Sequence, residues 1–228
     1  MRNAVLKYGL VGLAALAAGA IAAPAVAAQI AATSYDTPNG DGQASGGSFN
    51  YWDLAYSGAG ATSTDGAALT GGQGDLTDGV IASSFWFNVE NAAGTGPYVG
   101  WYQPVTSNPA VTFHFAGSPT ITDIKVYLDN SGSGGVFSPA SILIDGVNTP
   151  FTAPAGGTIG VIDFSGLSLT GGSHTLEFDQ RPGTWTFVSE VSFFGAAVPE
   201  PGAWALMLVG FGGLGVALRS MRRTPSTV

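Results

Sequence analysis

Apolar and polar side chains alternate with a period of two along the middle of the chain, and this pattern most narrows what it can fold into. Val111, Phe113 and Phe115 alternate with Thr112 and His114, and Ile124, Val126 and Leu128 with Asp123, Lys125, Tyr127 and Asp129. Leu176 and Phe178 alternate in the same way with Thr175, Glu177 and Asp179. Each run places its apolar residues on one face of a strand and its polar residues on the other. Asp145-Gly146, between Ile142-Leu143-Ile144 and Val147-Asn148, is the signature of a two-residue type I′ hairpin. Further strands are expected at 80–89, 98–102, 158–164 and 185–194. Residues 35–79 are rich in Gly, Ser, Thr, Asp and Asn, with one aromatic island from Phe49 to Tyr56. With no internal repeat and no helical pattern, residues 29–196 read as one all-β domain, an antiparallel β-sandwich.

Composition supports a packed core: 45% of the 228 residues are hydrophobic. Only 10% are charged, against an average near 25%, which disfavours a soluble cytosolic enzyme or a coiled coil. The absence of cysteine excludes disulfides, cysteine-ligated zinc and thiol catalysis. The formal net charge of −8 conceals a segregation: residues 29–196 hold 14 acidic side chains against Lys125 and Arg181, a net −12. Such a body repels phosphate backbones and excludes nucleic acid as a partner. Hard cations such as calcium suit it better.

The two ends read as addresses. Arg2 and Lys7 precede an apolar run to Ala23 and small residues through Ala28. This layout, over 1–28, is that of a Sec signal peptide cleaved after Ala27 or Ala28. At the other end Pro199-Glu200-Pro201 breaks the chain before an apolar run at 203–218 that ends in Arg219, Arg222 and Arg223. As a transmembrane helix those residues span ~24 Å, a little under the ~30 Å hydrocarbon core. Basic residues outside both runs favour a cytoplasmic position for each, leaving the body on the outer side of the inner membrane. Within the tail, residues 210–215 match G-x-G-x-x-G, but no strand precedes them and no acidic residue follows, so they do not mark a dinucleotide site.

Residues 197–228 resemble the PEP-CTERM sorting signal in its PEPxxWA form, carried here by Pro199, Glu200, Pro201, Trp204 and Ala205, the apolar run, and Arg219, Arg222 and Arg223. The resemblance implies recognition by an exosortase, a transpeptidase-like membrane protease of Gram-negative bacteria that accompanies exopolysaccharide production. The expected course is export through the Sec translocon, transient retention in the inner membrane, and cleavage near the PEP motif. The product is then delivered to the cell surface or extracellular matrix.

The body resembles, more loosely and over about 76–195, a discoidin-type, galactose-binding-like jelly roll. The carrying segments are Leu76-Thr77-Asp78-Gly79, Ile121 to Asn130, and Trp185 to Val191. That fold implies two packed antiparallel sheets, sugar-binding loops at one end, and a structural calcium ion near the L-T-D-G turn. Asp75 and Asp78 are the expected ligands, and Asp36, Asn39 and Asp41 form a second oxygen-rich turn.

For carbohydrate, Trp101 and Tyr102 are the expected stacking platform among Trp86, Tyr98, Trp101, Tyr102 and Trp185, because aromatic faces suit the apolar faces of sugar rings. Arg181, on the loop Gln180-Arg181-Pro182-Gly183, is expected to hydrogen-bond hydroxyls or an acidic sugar. No G-x-S-x-G or H-E-x-x-H motif occurs, and His114 and His174 are expected to be solvated. Glu177 and Asp179 share a strand face about 7 Å apart, a separation compatible with inverting glycoside hydrolysis, although a solvated acidic face is the simpler expectation. The sequence therefore points to an exported, non-catalytic protein that binds extracellular polysaccharide. A surface-coat protein without a specific ligand, or a weak glycan hydrolase, are the alternatives.

Overall fold

The computed structural model describes residues 27–42 and 47–195 and the isolated positions 209, 211 and 219. The expected signal helix within 1–28, the membrane helix at about 203–218 and the sorting-motif residues Pro199, Glu200, Pro201 and Trp204 lie outside the described residues, save for single positions. Among the described residues no helix is long and apolar enough to cross a membrane.

Among the described residues, twelve strands form two six-stranded antiparallel sheets. In the first sheet, β12 (Trp185–Gly195) lies between β6 (Thr120–Asn130) on one side and β1 (Ala28–Ile30) and β4 (Val99–Tyr102) on the other. β9 (Thr158–Phe164) and β10 (Leu169–Thr170) add to the far edge of β6. The second sheet runs β3 (Ala68–Gly72), β2 (Ala32–Pro38), β5 (Ala110–Phe115), β11 (Ser173–Asp179), β7 (Ser141–Ile144) and β8 (Val147–Asn148).

Alternation produces the sandwich directly. Val111 and Phe113 on β5, Leu176 and Phe178 on β11, and Ile124 and Val126 on β6 are all fully buried, while their polar neighbours face outward. Rings join the two sheets: Phe193 of β12 meets Phe113 and Phe115 of β5, each at 4.9 Å between centroids. The β7–β8 turn has positive φ at both Asp145 (50°) and Gly146 (77°), as a type I′ turn requires.

The span 80–89 is not a strand. Residues 80–85 are irregular and α1 (Trp86–Val89) is a single helical turn. Its first amide, Trp86 N–H, donates to Asp129 Oδ2 at 2.8 Å and its indole N–H to the Ser133 carbonyl at 3.2 Å. These long-range bonds, with Asn88 Nδ2 on Ser84 Oγ at 2.9 Å, hold the segment as a turn. His174 also departs from expectation: it is 4% exposed, with Nδ1 2.7 Å from Asp145 Oδ2. It lies in phase with Leu176 and Phe178 and so points inward. His114 is half-exposed and paired with Asp36 at 2.8 Å.

Candidate functional site

Strand direction gathers five connections at one end of the sandwich: β2–β3, β4–β5, β6–β7, β8–β9 and β11–β12. Beneath them sits an aromatic cluster of Tyr51, Trp86, Tyr98 and Phe187, separate from the main core, with Phe49 and Trp185 packed against it. At its rim Trp185 stacks on Tyr102 (4.9 Å, 26°) and meets Tyr51 edge-on (5.1 Å, 72°). Both Tyr102 and Trp185 are half-buried, so each keeps ring surface toward solvent.

The loops are tied by polar side chains. Asp41 accepts from Tyr102 N–H (2.6 Å) and from Thr106 Oγ1 (2.7 Å), fixing the start of the β4–β5 loop. Gln103 bridges to the neighbouring loop through its N–H to the Thr184 carbonyl (2.9 Å) and its Oε1 from Gly183 N–H (3.0 Å). Asn108 and Gln180 exchange two bonds, at 3.1 and 3.0 Å. These ties set Tyr102 beside Trp185.

The structure brings Tyr102 and Arg181 to the same end but removes Trp101 from it. Trp101 is fully buried, stacks toward Phe178 at 6.0 Å, and donates its indole N–H to the Pro38 carbonyl at 2.9 Å. It shares the inward phase of Val99, one alternation away, so it leaves no ring face for a ligand. Trp185, one of the five aromatics considered but not a preferred one, is the tryptophan that stands beside Tyr102 at this end. Arg181 is exposed, its Nε donating to the Ser138 carbonyl at 3.3 Å. It borders a cleft of about 330 Å³ with Ser141, Asn148, Thr149 and Phe151, residues the alternation pattern does not single out.

Asp75 and Asp78 lie elsewhere, on the turn that follows β3 and packs against β12. Val191 N–H donates to the Leu76 carbonyl (2.9 Å), and Gly79 N–H to Glu190 Oε2 (3.0 Å). Asp78 is exposed and accepts from Val80 N–H at 2.8 Å. Asp75 is 7% exposed, and its Oδ2 and the Thr77 hydroxyl are buried without a hydrogen-bond partner. Burial, then the charges of Asp53, Asp78 and Glu90, push the Asp75 carboxyl up to about 8. Burial first, then Asp78, raises Glu190 to about 7. Asp53, which accepts from the Tyr35 hydroxyl, is also raised by burial. Among the described residues no three His, Asp or Glu side chains converge as a metal cluster. An ion here needs backbone carbonyls to complete its shell.

Glu177 and Asp179 sit half-exposed on the outer face of β11, Asp179 holding the Ser141 hydroxyl at 2.9 Å.

Residues 197–223 match the PEP-CTERM protein-sorting motif. No curated protein matches the chain. Among solved structures, the chain is similar to truncated AlyQ with CBM32 and alginate lyase domains, at 14% identity and a TM-score of 0.43, covering 77% of this chain and 35% of that one. It spans about a third of that protein's length. It is also similar to the Streptococcus pneumoniae beta-galactosidase BgaA, at 11% identity and a TM-score of 0.42, covering 75% of this chain and 99% of that one. A fucolectin from striped bass (Morone saxatilis) serum is similar at 11% identity and a TM-score of 0.34, covering 75% of this chain and 80% of the lectin. Residues 31–152, an earlier span than the 76–195 of the sequence resemblance, match the DS-like domain of discoidin domain-containing receptor 1/2, and the chain belongs to that family.

Proposed function

We propose that this chain is an exported, non-catalytic surface protein that binds extracellular carbohydrate through the loop end of its sandwich. The observation that carries this reading is the Tyr102–Trp185 pair, stacked, half-exposed and locked in place by Gln103 beside Arg181. Aromatic faces with adjacent polar groups form a platform of the kind sugar rings stack on, and little side-chain entropy is lost because the pair is already fixed. Export runs through the Sec translocon, and an exosortase recognises Pro199, Glu200, Pro201 and Trp204, with the Arg219, Arg222 and Arg223 cluster holding the tail in the inner membrane before release toward the exopolysaccharide matrix. Support for this route comes from the sorting motif at 197–223.

The test is binding of the protein to purified bacterial exopolysaccharides, compared with Trp185→Ala and Tyr102→Ala. Loss of binding with retained folding is the expected result. Failure of the wild-type protein to bind any polysaccharide turns the reading to a coat protein without a ligand. The sorting route is tested separately by the intact mass of the C-terminus in hosts with and without exosortase. A tail retained in both rejects it.

A structural calcium ion at the Asp75–Gly79 turn is part of the proposal. The unpartnered oxygens of Asp75 and Thr77 suit a hard cation, with Asp78, Glu190 and turn carbonyls as further donors. Calcium at constant ionic strength is expected to raise the thermal midpoint over chelator. An unchanged midpoint removes it.

A further inference from the structure

Within the carbohydrate-binding reading, on which this rests, the charge distribution around Arg181 goes further. The domain holds two cations. Lys125 is taken: its Nζ lies 3.5 Å from Asp163 and over the Phe194 ring. Arg181 pairs with no acid among the described residues, although 14 carboxylates share the domain. Asp179, two residues away, is engaged with the Ser141 hydroxyl instead. The single bond from Arg181 Nε to the Ser138 carbonyl orients the guanidinium and leaves its terminal nitrogens without a partner.

Arg181 borders the cleft formed where the β6–β7, β8–β9 and β11–β12 connections meet. At about 330 Å³ it is at the small end for ligand sites, a size for the end of a glycan rather than a long stretch. Its other walls are complementary to a sugar. Asn148 is exposed, and Ser141, its own proton committed to Asp179, presents an acceptor. Phe151 is half-buried, fixed edge-on against Phe164 at 6.0 Å, and supplies an apolar edge.

We infer that this cleft seats a carboxylated sugar, a uronate or similar acidic residue of a glycan, with Arg181 as the group that reads the carboxylate. A guanidinium offers two parallel N–H donors that match a carboxylate. Generic attraction is not available as an alternative cause. A domain of net −12 repels a polyanion at separations up to about 8 Å, beyond which salt screens the charges, so preference for an acidic glycan must arise from a local contact. In this domain that contact exists at Arg181.

The experiment uses the full-length protein in detergent at physiological salt, with a short oligogalacturonate, its methyl ester and a neutral galactan oligosaccharide as probes. The ester keeps the sugar ring and removes the charge. The acid is expected to bind about tenfold tighter than the ester, and Arg181→Ala to erase that difference so that acid and ester bind alike, with an unchanged thermal midpoint showing that the variant is folded. Arg181→Lys, which keeps the charge but loses the fork, is expected to lose most of the preference. Equal binding of acid and ester, or a preference that survives in Arg181→Ala, overturns the carboxylate seat and leaves carbohydrate binding standing. No binding of any probe or of other polysaccharides overturns both.

Discussion

The loop end and the Asp75–Gly79 turn are both polar regions of one sandwich, yet they treat charge in opposite ways. At the loop end polar side chains are satisfied by backbone groups and by each other, and a cation is left without an acid partner. At the turn, carboxylates are buried near other acids and pair with no cation among the described residues, so burial and like charge favour the proton over the charge. Isolation makes a charge available to a ligand. Crowding makes a charge responsive to pH and to metal. The same acidic composition yields both because the fold decides which carboxylates share a space.

The largest test of this contrast concerns tryptophan. Trp101→Ala removes a fully buried ring and is expected to cost about 3–5 kcal/mol, whereas Trp185→Ala at the rim costs about 1 kcal/mol. Chemical denaturation measures both. Equal costs contradict the inward position of Trp101.

Next is pH. Asp75 moves from 3.8 to about 8 on folding, and Glu90 and Glu190 from 4.5 to about 7. The folded state holds these protons longer than the unfolded chain does. Their contribution is therefore full below the ordinary carboxylate range and is lost as pH rises toward 7–8. Thermal midpoints without calcium are expected to fall steadily from pH 5 to pH 8, and Asp75→Asn to flatten the fall and raise the midpoint at pH 8 by several degrees. A midpoint that climbs over that range defeats the account of the turn. Bound calcium favours ionised Asp75, so calcium should flatten the same slope in the wild-type protein.

The smallest expected effect belongs to Glu177→Gln on the open outer face, within about 0.5 kcal/mol of wild type and without change in glycan binding. Glycan turnover that this substitution abolishes would restore the hydrolase reading.

Much of the fold is legible in the sequence where both phases of a strand carry contrasting residues. Val111 to Phe115 and Ile124 to Leu128 show this, as does the Asp145-Gly146 turn. β2 and β3 escape because their inward positions are filled by small residues, leaving Tyr35 and Leu69 as lone large signals among Gly, Ser and Thr. The apolar run 80–89 misleads for another reason. Its Trp86 amide is capped by Asp129, 43 residues away, and such a bond has no local trace. For the candidate site, the placement of Tyr102 and Arg181 near strand ends is legible from turn context. The burial of Trp101 and His174 was readable from phase alone, each being in step with buried neighbours. What no pattern reveals is that Arg181 has no acid partner among the described residues, since pairing depends on where all 14 carboxylates fall.

The position of β12 has a mechanical consequence. It begins at the loop end with Trp185, ends at Gly195 beside β1, and pairs with β6 along most of its length, with β4 flanking its start and β1 its end on the other side. Were the loops to hold a glycan and the chain beyond residue 195 to be anchored, the load between them would enter β12 at one end and leave it at the other. Its ladder bonds lie across the strand axis, so they bear the load together in shear rather than parting one at a time. Under such a load the β12–β6 seam would resist as one unit.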